Sequence, residues 1–244
     1  MKFIKGFIVK FIHHYGYDLY RIQKDSQSSM LGLYDFNINT VIDIGANRGQ
    51  FSQRVIDIFP DAHFYCFEPL NDAFQELEKW ANQVCPGRFN LFNVALGAKQ
   101  GAVSLFSPLD HNDASSMLES TSTLASLYPV VKKQRKVDVE MTTLDAALLS
   151  RAQELTPNIL IKIDVEGYED RVIRGGTAIF KMAAACIVEI CLDELHHGQA
   201  TFLDIFTLMT SLGYRYGGSL DQICAVDGHP IYINAVFIKG GRKP

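Results

Sequence analysis

The sequence predicts an α/β fold, a mostly parallel sheet with helices on both faces, and three observations predict it. Segments of strand pattern alternate with segments of helical pattern from Thr40 to Gly97, and such alternation requires right-handed crossovers between parallel strands. The apolar run Val41-Ile42-Asp43-Ile44 breaks at once into Gly45-Ala46-Asn47-Arg48-Gly49, the mark of a buried strand that turns into a helix. Ile159-Leu160-Ile161-Lys162-Ile163-Asp164 is almost continuously apolar, as a strand covered on both faces should be. With 244 residues, 48% of them hydrophobic, the chain can bury one substantial core, so a single domain with additions is expected.

Residues 1–35 are read as an N-terminal helix and linker, and 36–244 as the domain. Phe3, Ile4, Phe7, Ile8, Phe11 and Ile12 lie on one stripe with Lys2, Lys5 and Lys10 off it, the pattern of an amphipathic helix. It lacks the uninterrupted apolar run of a membrane span and the cleavage site of a secretory signal. Packing on its own domain is the commoner fate of such a stripe. Peripheral contact with an anionic membrane surface, or with a partner chain, is the other.

Within the domain, Phe51, Val55, Ile56 and Phe59 recur at helical spacing after the first strand. His63 to Phe67 is a second strand, Phe74, Leu77, Glu78 and Ala81 belong to a second helix, and Phe89 to Gly97 is a third strand. Gly101 to Phe106 and Lys136 to Met141 alternate as short strands of a small β insertion, with a polar loop from Asp110 to Ser126 between them. Thr143 is placed to cap a helix holding Leu144, Ala147 and Leu148. Ile159 to Asp164 and Ala185 to Ile190 are the fourth and fifth strands, and Phe202, Phe206, Leu208 and Met209 lie on a helix. Gly213 to Tyr216 leads through loops to Ile231 to Ile238, and the closing pair is expected as a hairpin at the sheet edge.

The turn after the first strand is where a ligand is expected, because ligands of open α/β sheets lie at the carboxyl ends of the strands. Gly45 and Gly49 permit a tight turn and close approach to bare backbone. Asn47 stands where a dinucleotide fold would have its second glycine, which argues against a pyrophosphate. Asp43, two residues before the first glycine, instead suits an amino-bearing ligand such as the methionine part of S-adenosylmethionine. Glu68 closes the second strand about twenty residues on, where a carboxylate accepts both ribose hydroxyl protons in nucleoside-binding folds.

The net charge of −4 and pI near 6.0 exclude a general nucleic-acid binder, which needs a concentrated basic face. Five cysteines without a C-x-x-C pair predict reduced thiols of a cytoplasmic protein. Asp164, Glu166 and Glu189 could meet above the sheet and hold a divalent metal, but nothing in their spacing demands one, and no metal site is assigned. The pairs His13-His14 and His196-His197 lack metal-ligand spacing and are expected at the surface.

The segments 41–49, Phe67-Glu68-Pro69, Asn93 to Gly97, Thr143-Leu144-Asp145 and Lys162-Ile163-Asp164-Val165-Glu166-Gly167-Tyr168-Glu169 together resemble the FkbM family of S-adenosylmethionine-dependent methyltransferases. The resemblance runs from about Thr40 to about Ile238. It implies a Rossmann-like class I methyltransferase fold, a seven-stranded sheet with the last strand antiparallel, and methyl transfer to a hydroxyl oxygen. It implies that Asp43, Gly45, Ala46, Asn47 and Gly49 surround the methionine part of the cofactor. By the same resemblance Glu68 and Pro69 lie at its ribose, Asn93 and Ala95 near its adenine, and Ser115 and Ser116 above it. Asp164 would approach the reacting methyl group.

Methyl transfer to an alcohol needs the nucleophile held in line with the methyl carbon and a base that takes the hydroxyl proton. Asp164 is the first candidate, with Glu166, Glu189 and His196 behind it. The expected function is O-methylation of a small molecule or glycan, with the polar insertion as a lid. Two rivals are a nicotinamide-dependent oxidoreductase using the same crevice and a non-catalytic Rossmann-like binding module.

Overall fold

The computed structural model describes residues 32–109 and 115–240. The amphipathic stripe and Asp110 to Ala114 lie outside the described residues. Seven strands form the main sheet: β1 (Thr40–Ile44), β2 (His63–Phe67), β3 (Phe89–Phe92), β7 (Ile159–Ile163), β8 (Ala185–Cys191), β9 (Tyr214–Cys224) and β10 (Pro230–Lys239). They lie in the order β3-β2-β1-β7-β8-β10-β9. The pairs β1–β2, β2–β3, β1–β7 and β7–β8 are parallel, whereas β10 runs antiparallel to both β8 and β9. The last strand alone opposes the others, as expected. Strand order reverses at β1, with β2 on one side and β7 on the other, and this opens a crevice above their carboxyl ends.

Successive side chains of a strand point to opposite faces, so the central strands carry two cores. Ile42, Ile44, Tyr65, Phe67, Ile161, Ile163 and Val188 face one way. They pack against α4 (Leu144–Leu148), α5 (Glu169–Gly175), α6 (Thr177–Met182) and α7 (Phe202–Ser211). Val41, Phe64, Cys66, Leu160 and Ile187 face the other way, against Val55 of α1 (Gln50–Val55), Leu77 of α2 (Asn71–Val84), and Leu33. Each fully buried Leu, Ile or Phe among these contributes about 1.5–3 kcal/mol. Leu33 is fully buried in the second core, so the packed body begins a little before position 36. Thr143 caps α4 by accepting from the Ala146 N–H.

The insertion is a second, three-stranded sheet of β4 (Ala95–Leu96), β6 (Gln134–Thr142) and β5 (Gly101–Pro108). Three expectations change here. The third strand does not run through to Gly97: it breaks after Phe92, and Ala95–Leu96 leaves to pair with β6. The Asn93 carboxamide makes the break by donating to the carbonyls of Glu68 (2.9 Å) and Pro69 (3.1 Å). The polar stretch ending at Ser126 contains α3 (Ser122–Leu127), whose first turn is capped by the Thr121 hydroxyl. Tyr214–Cys224 is the edge strand of the closing hairpin, with register shifts against β10, and not a loop. No helix among the described residues is long and apolar enough to cross a membrane. All five cysteines are free: Cys66, Cys186 and Cys191 are buried, whereas Cys224 is exposed.

Candidate active site

The turn between β1 and α1 passes through left-handed backbone at Gly45 (φ 74°), Asn47 (φ 47°) and Gly49 (φ 86°). Asparagine tolerates this region better than other side chains, so Asn47 performs the backbone task of the glycine whose place it holds. The Gly45 and Ala46 N–H groups both donate to the Phe67 carbonyl at 3.0 Å. The turn is thereby locked to the tip of β2. Gly49 answers a different need, because a Cβ there would lie 2.9 Å from Leu77 and 3.2 Å from Trp80. It gives α2 room, and it is not on the wall of the cleft.

That cleft, of about 260 Å³, lies above the carboxyl ends of β1, β2 and β7. Gly45, Ala46, Asn47, Glu68 and Pro69 form one side, and Lys162, Asp164, Val165 and Glu166 another. Leu96, Leu105, Met117 and Phe51 give apolar walls, and Ala95 and Ser115 complete them. Ala95 and Ser115 were expected here, whereas Leu96 and Leu105 of the second sheet and Met117 of the segment between β5 and β6 had not been joined to the site.

Glu68 is 5% exposed. Its Oε2 accepts from the Asn47 N–H at 2.9 Å and its Oε1 from the Leu70 N–H at 2.8 Å. Burial pushes its carboxyl up to about 7 against these two hydrogen bonds. Asn93 stands behind the wall and holds the Glu68–Pro69 backbone, while Ala95 reaches the cleft itself.

On the opposite side an unforeseen cation organises the acids. Lys162, 7% exposed, donates from Nζ to Asp164 Oδ2 at 2.5 Å. Burial pulls against its charge, but Asp164, Asp43 and Glu189 outweigh it and hold the ammonium above its ordinary value. A lysine within an otherwise apolar central strand was the signal, since a buried charge requires partners. Asp43 is fully buried beneath the turn and absent from the cleft wall. One of its oxygens accepts from Ser52 Oγ at 2.7 Å, and the other has no hydrogen-bond partner among the described residues. Burial raises its carboxyl, and Lys162 opposes that rise.

Glu166 takes φ 54° in the loop after β7. Glu169, buried and pushed up to about 7 by burial, braces this loop by accepting from the Val165 and Gly167 N–H groups. Carboxylate oxygens of Asp164, Glu166 and Glu189 come within 4.8 Å of one another, a donor set that one cation could share. The cation already bonded there is the Lys162 ammonium. Glu189 is driven well above the usual carboxylate range by burial, with Asp164 and Glu166 adding to the effect.

Two candidates sit differently from expectation. His196 is fully buried, packed against Gly167, and off the cleft wall. Neither ring nitrogen has a partner among the described residues, and burial lowers its pKa to about 4, so the ring is neutral. Its neighbour His197 is at the surface. Ser115 faces the cleft, but Ser116 is buried: its Oγ donates to the Glu166 carbonyl at 2.6 Å and accepts from the Leu118 N–H at 3.0 Å. Thr121 Oγ1 adds a bond to the Glu194 carbonyl. The segment between β5 and β6 is therefore stitched to the loops following β7 and β8.

The Methyltransferase FkbM domain matches residues 43–216 of this chain. Among curated proteins, the 2-O-methyltransferase NoeI of Sinorhizobium fredii is 28% identical over 176 residues, which cover 70% of this chain and 71% of that protein. The crystal structure of Methyltransferase FkbM from Methylobacillus flagellatus KT superposes with a TM-score of 0.51 and 14% identity over 83% of this chain. The match spans 44% of that larger chain.

Proposed function

This chain belongs to the FkbM family of methyltransferases, and we propose that it moves the methyl group of S-adenosylmethionine to a hydroxyl oxygen of a small molecule or glycan. The observation that carries this reading is one cleft lined by the left-handed turn, the buried Glu68 carboxylate and the Lys162-bound Asp164. A relative named as a 2-O-methyltransferase supports an oxygen acceptor.

The residues fit the cofactor. Glu68 has one hydrogen bond to each oxygen and retains lone pairs for two ribose hydroxyls. Gly45, Ala46, Asn47, Pro69 and Asp164 hold the methionine and ribose, and Ala95, Leu96, Leu105 and Met117 supply the apolar surface a planar base needs, with Ser115 beside it. Asp43, Gly49, Asn93 and Ser116 support this wall from behind. Bound S-adenosylmethionine supplies an electrophilic methyl carbon.

Asp164 accepts the acceptor's hydroxyl proton as the new bond forms. Glu166, on the same wall, orients the acceptor, and Glu189 stands behind them. The apolar walls exclude water from the reacting atoms.

Calorimetric titration with S-adenosylmethionine and with NAD separates this reading from a nicotinamide enzyme. Binding of the former alone is expected. Heat from NAD with none from S-adenosylmethionine overturns the proposal.

A further inference from the structure

We propose that Lys162 is a positioning residue of this reaction, a built-in cation that orients Asp164 and offsets the negative charge gathered around it and Asp43. The inference deepens the proposed function and rests on it for the role of Asp164. The register of the sheet makes the arrangement. Lys162 lies directly across from Asp43 on β1 and from Ile187 on β8, and cross-strand partners of a parallel sheet share a face. Asp164 lies two residues beyond Lys162, and Glu189 two beyond Ile187, on that same face. Four ionisable side chains from three adjacent strands thus converge at the carboxyl end of the sheet.

The surroundings contain more negative than positive charge. Asp43 feels Lys162 and Asp164, and Glu189 feels Asp164, Glu166, Glu169 and Lys162. In both sets Lys162 is the positive member. Ser52 on α1 and the buried Cys66 thiol on β2 add no charge beside Asp43, and the Glu68 carboxyl at the tip of β2, which feels Asp43, adds a further acid. Without the ammonium, Asp43 would keep one hydrogen bond in a site closed to water, and Asp164 would stand within 4.8 Å of two further carboxyl groups. Carboxyls so crowded take up protons, and a protonated Asp164 cannot accept one.

A lysine serving stability alone would have no need to reach the cleft. Burying an ion costs several kcal/mol even when it is paired, and an apolar residue of similar size does as well or better. Here Lys162 lines the cleft, and its Nζ lies 5.9 Å from the centre of the ring of Phe51, another residue of the lining. By binding Asp164 Oδ2, it leaves the other carboxylate oxygen for the acceptor.

The test needs no acceptor. Aspartate labelled with carbon-13 at the side-chain carboxyl is followed by NMR across about pH 4 to 9 in the full chain and in Lys162→Met, with Asp43→Asn and Asp164→Asn assigning the two resonances. The expected result is that both carboxyls bind protons at least tenfold more tightly in Lys162→Met, a displacement of about one pH unit or more. Titration curves unchanged from the parent overturn the proposal, because an ammonium that offsets the charge of these carboxyls cannot be removed without moving their titration. Should Lys162→Met fail to fold, the double variant Asp43→Asn with Lys162→Met removes the buried anion as well. Asp164 is still expected to shift, and an unshifted Asp164 there overturns the role. Calorimetry of the parent with S-adenosylmethionine tests the underlying function separately, since the carboxyl titrations do not depend on its outcome.

Discussion

Gly45 and Asp164 touch across the tips of β1 and β7: a Cβ on Gly45 would stand 1.8 Å from the Asp164 carbonyl oxygen. The Asp164 N–H also donates to the Ile44 carbonyl at 3.0 Å. The glycine turn and the acid proposed as base are therefore parts of one contact. The first glycine is needed at least as much for this approach as for a ligand.

Gly45→Ala is expected to destabilise the protein by about 2–5 kcal/mol, from a left-handed backbone now carrying a side chain and from overpacking against Asp164. Urea unfolding measures the loss. A change under about 1 kcal/mol would show that the two strand tips separate easily.

Asp164→Asn keeps the shape and removes the charge. Methyl transfer to an alcohol accepted from a panel of hydroxylated compounds should fall by about 10²–10⁴-fold, with binding of S-adenosylmethionine weakened far less. Release of S-adenosylhomocysteine reports the rate, and full turnover would remove Asp164 from the reaction.

Glu68 makes both folding and cofactor binding depend on pH. Its carboxyl, ordinarily near 4.5, sits at about 7 in the folded protein because of burial. The folded state therefore holds a proton that the unfolded chain has already released, so the contribution to stability is full below about 4.5 and is lost as pH rises through about 7. Glu169 has the same displacement and adds to the slope. Glu68→Gln should flatten the stability profile between these limits. Affinity for S-adenosylmethionine should rise through about pH 7 in the parent, as the carboxylate that accepts ribose hydroxyls forms, and stay weak and flat in the variant. Calorimetry at three pH values decides it.

Ser116→Ala deletes the bond to the Glu166 carbonyl and the acceptor of the Leu118 N–H. A loss of about 1–3 kcal/mol is expected from backbone groups left unpaired. Faster hydrogen exchange should be confined to the stretch between β5 and β6 and the loop after β7. Exchange unchanged at Leu118 would show that the latch carries no strain from the segment.

His196→Leu tests a candidate that the fold places away from the cleft. The ring is neutral, buried and without hydrogen-bond partners among the described residues, so stability should be equal or higher and turnover retained. A tenfold fall in turnover with an unchanged melting temperature would return His196 to the reaction.

Local spacing determined much of this protein. The apolar runs of β1 and β7, the glycine turn, the acid closing β2 and the Thr143 cap all rest on contacts or periodicities spanning a few residues, and a linear sequence displays those directly. Which side chains meet was decided by the tertiary structure. Asp43 and Lys162 stand 119 positions apart in the sequence and become neighbours only because β7 pairs with β1 in one particular register. A slip of one residue would turn Lys162 to the opposite face. Burial then separated roles that residue type alone could not: it sealed Asp43 under the turn, set Asn93 and Ser116 to holding backbone, withdrew His196, and left Glu68 and Asp164 at the cleft.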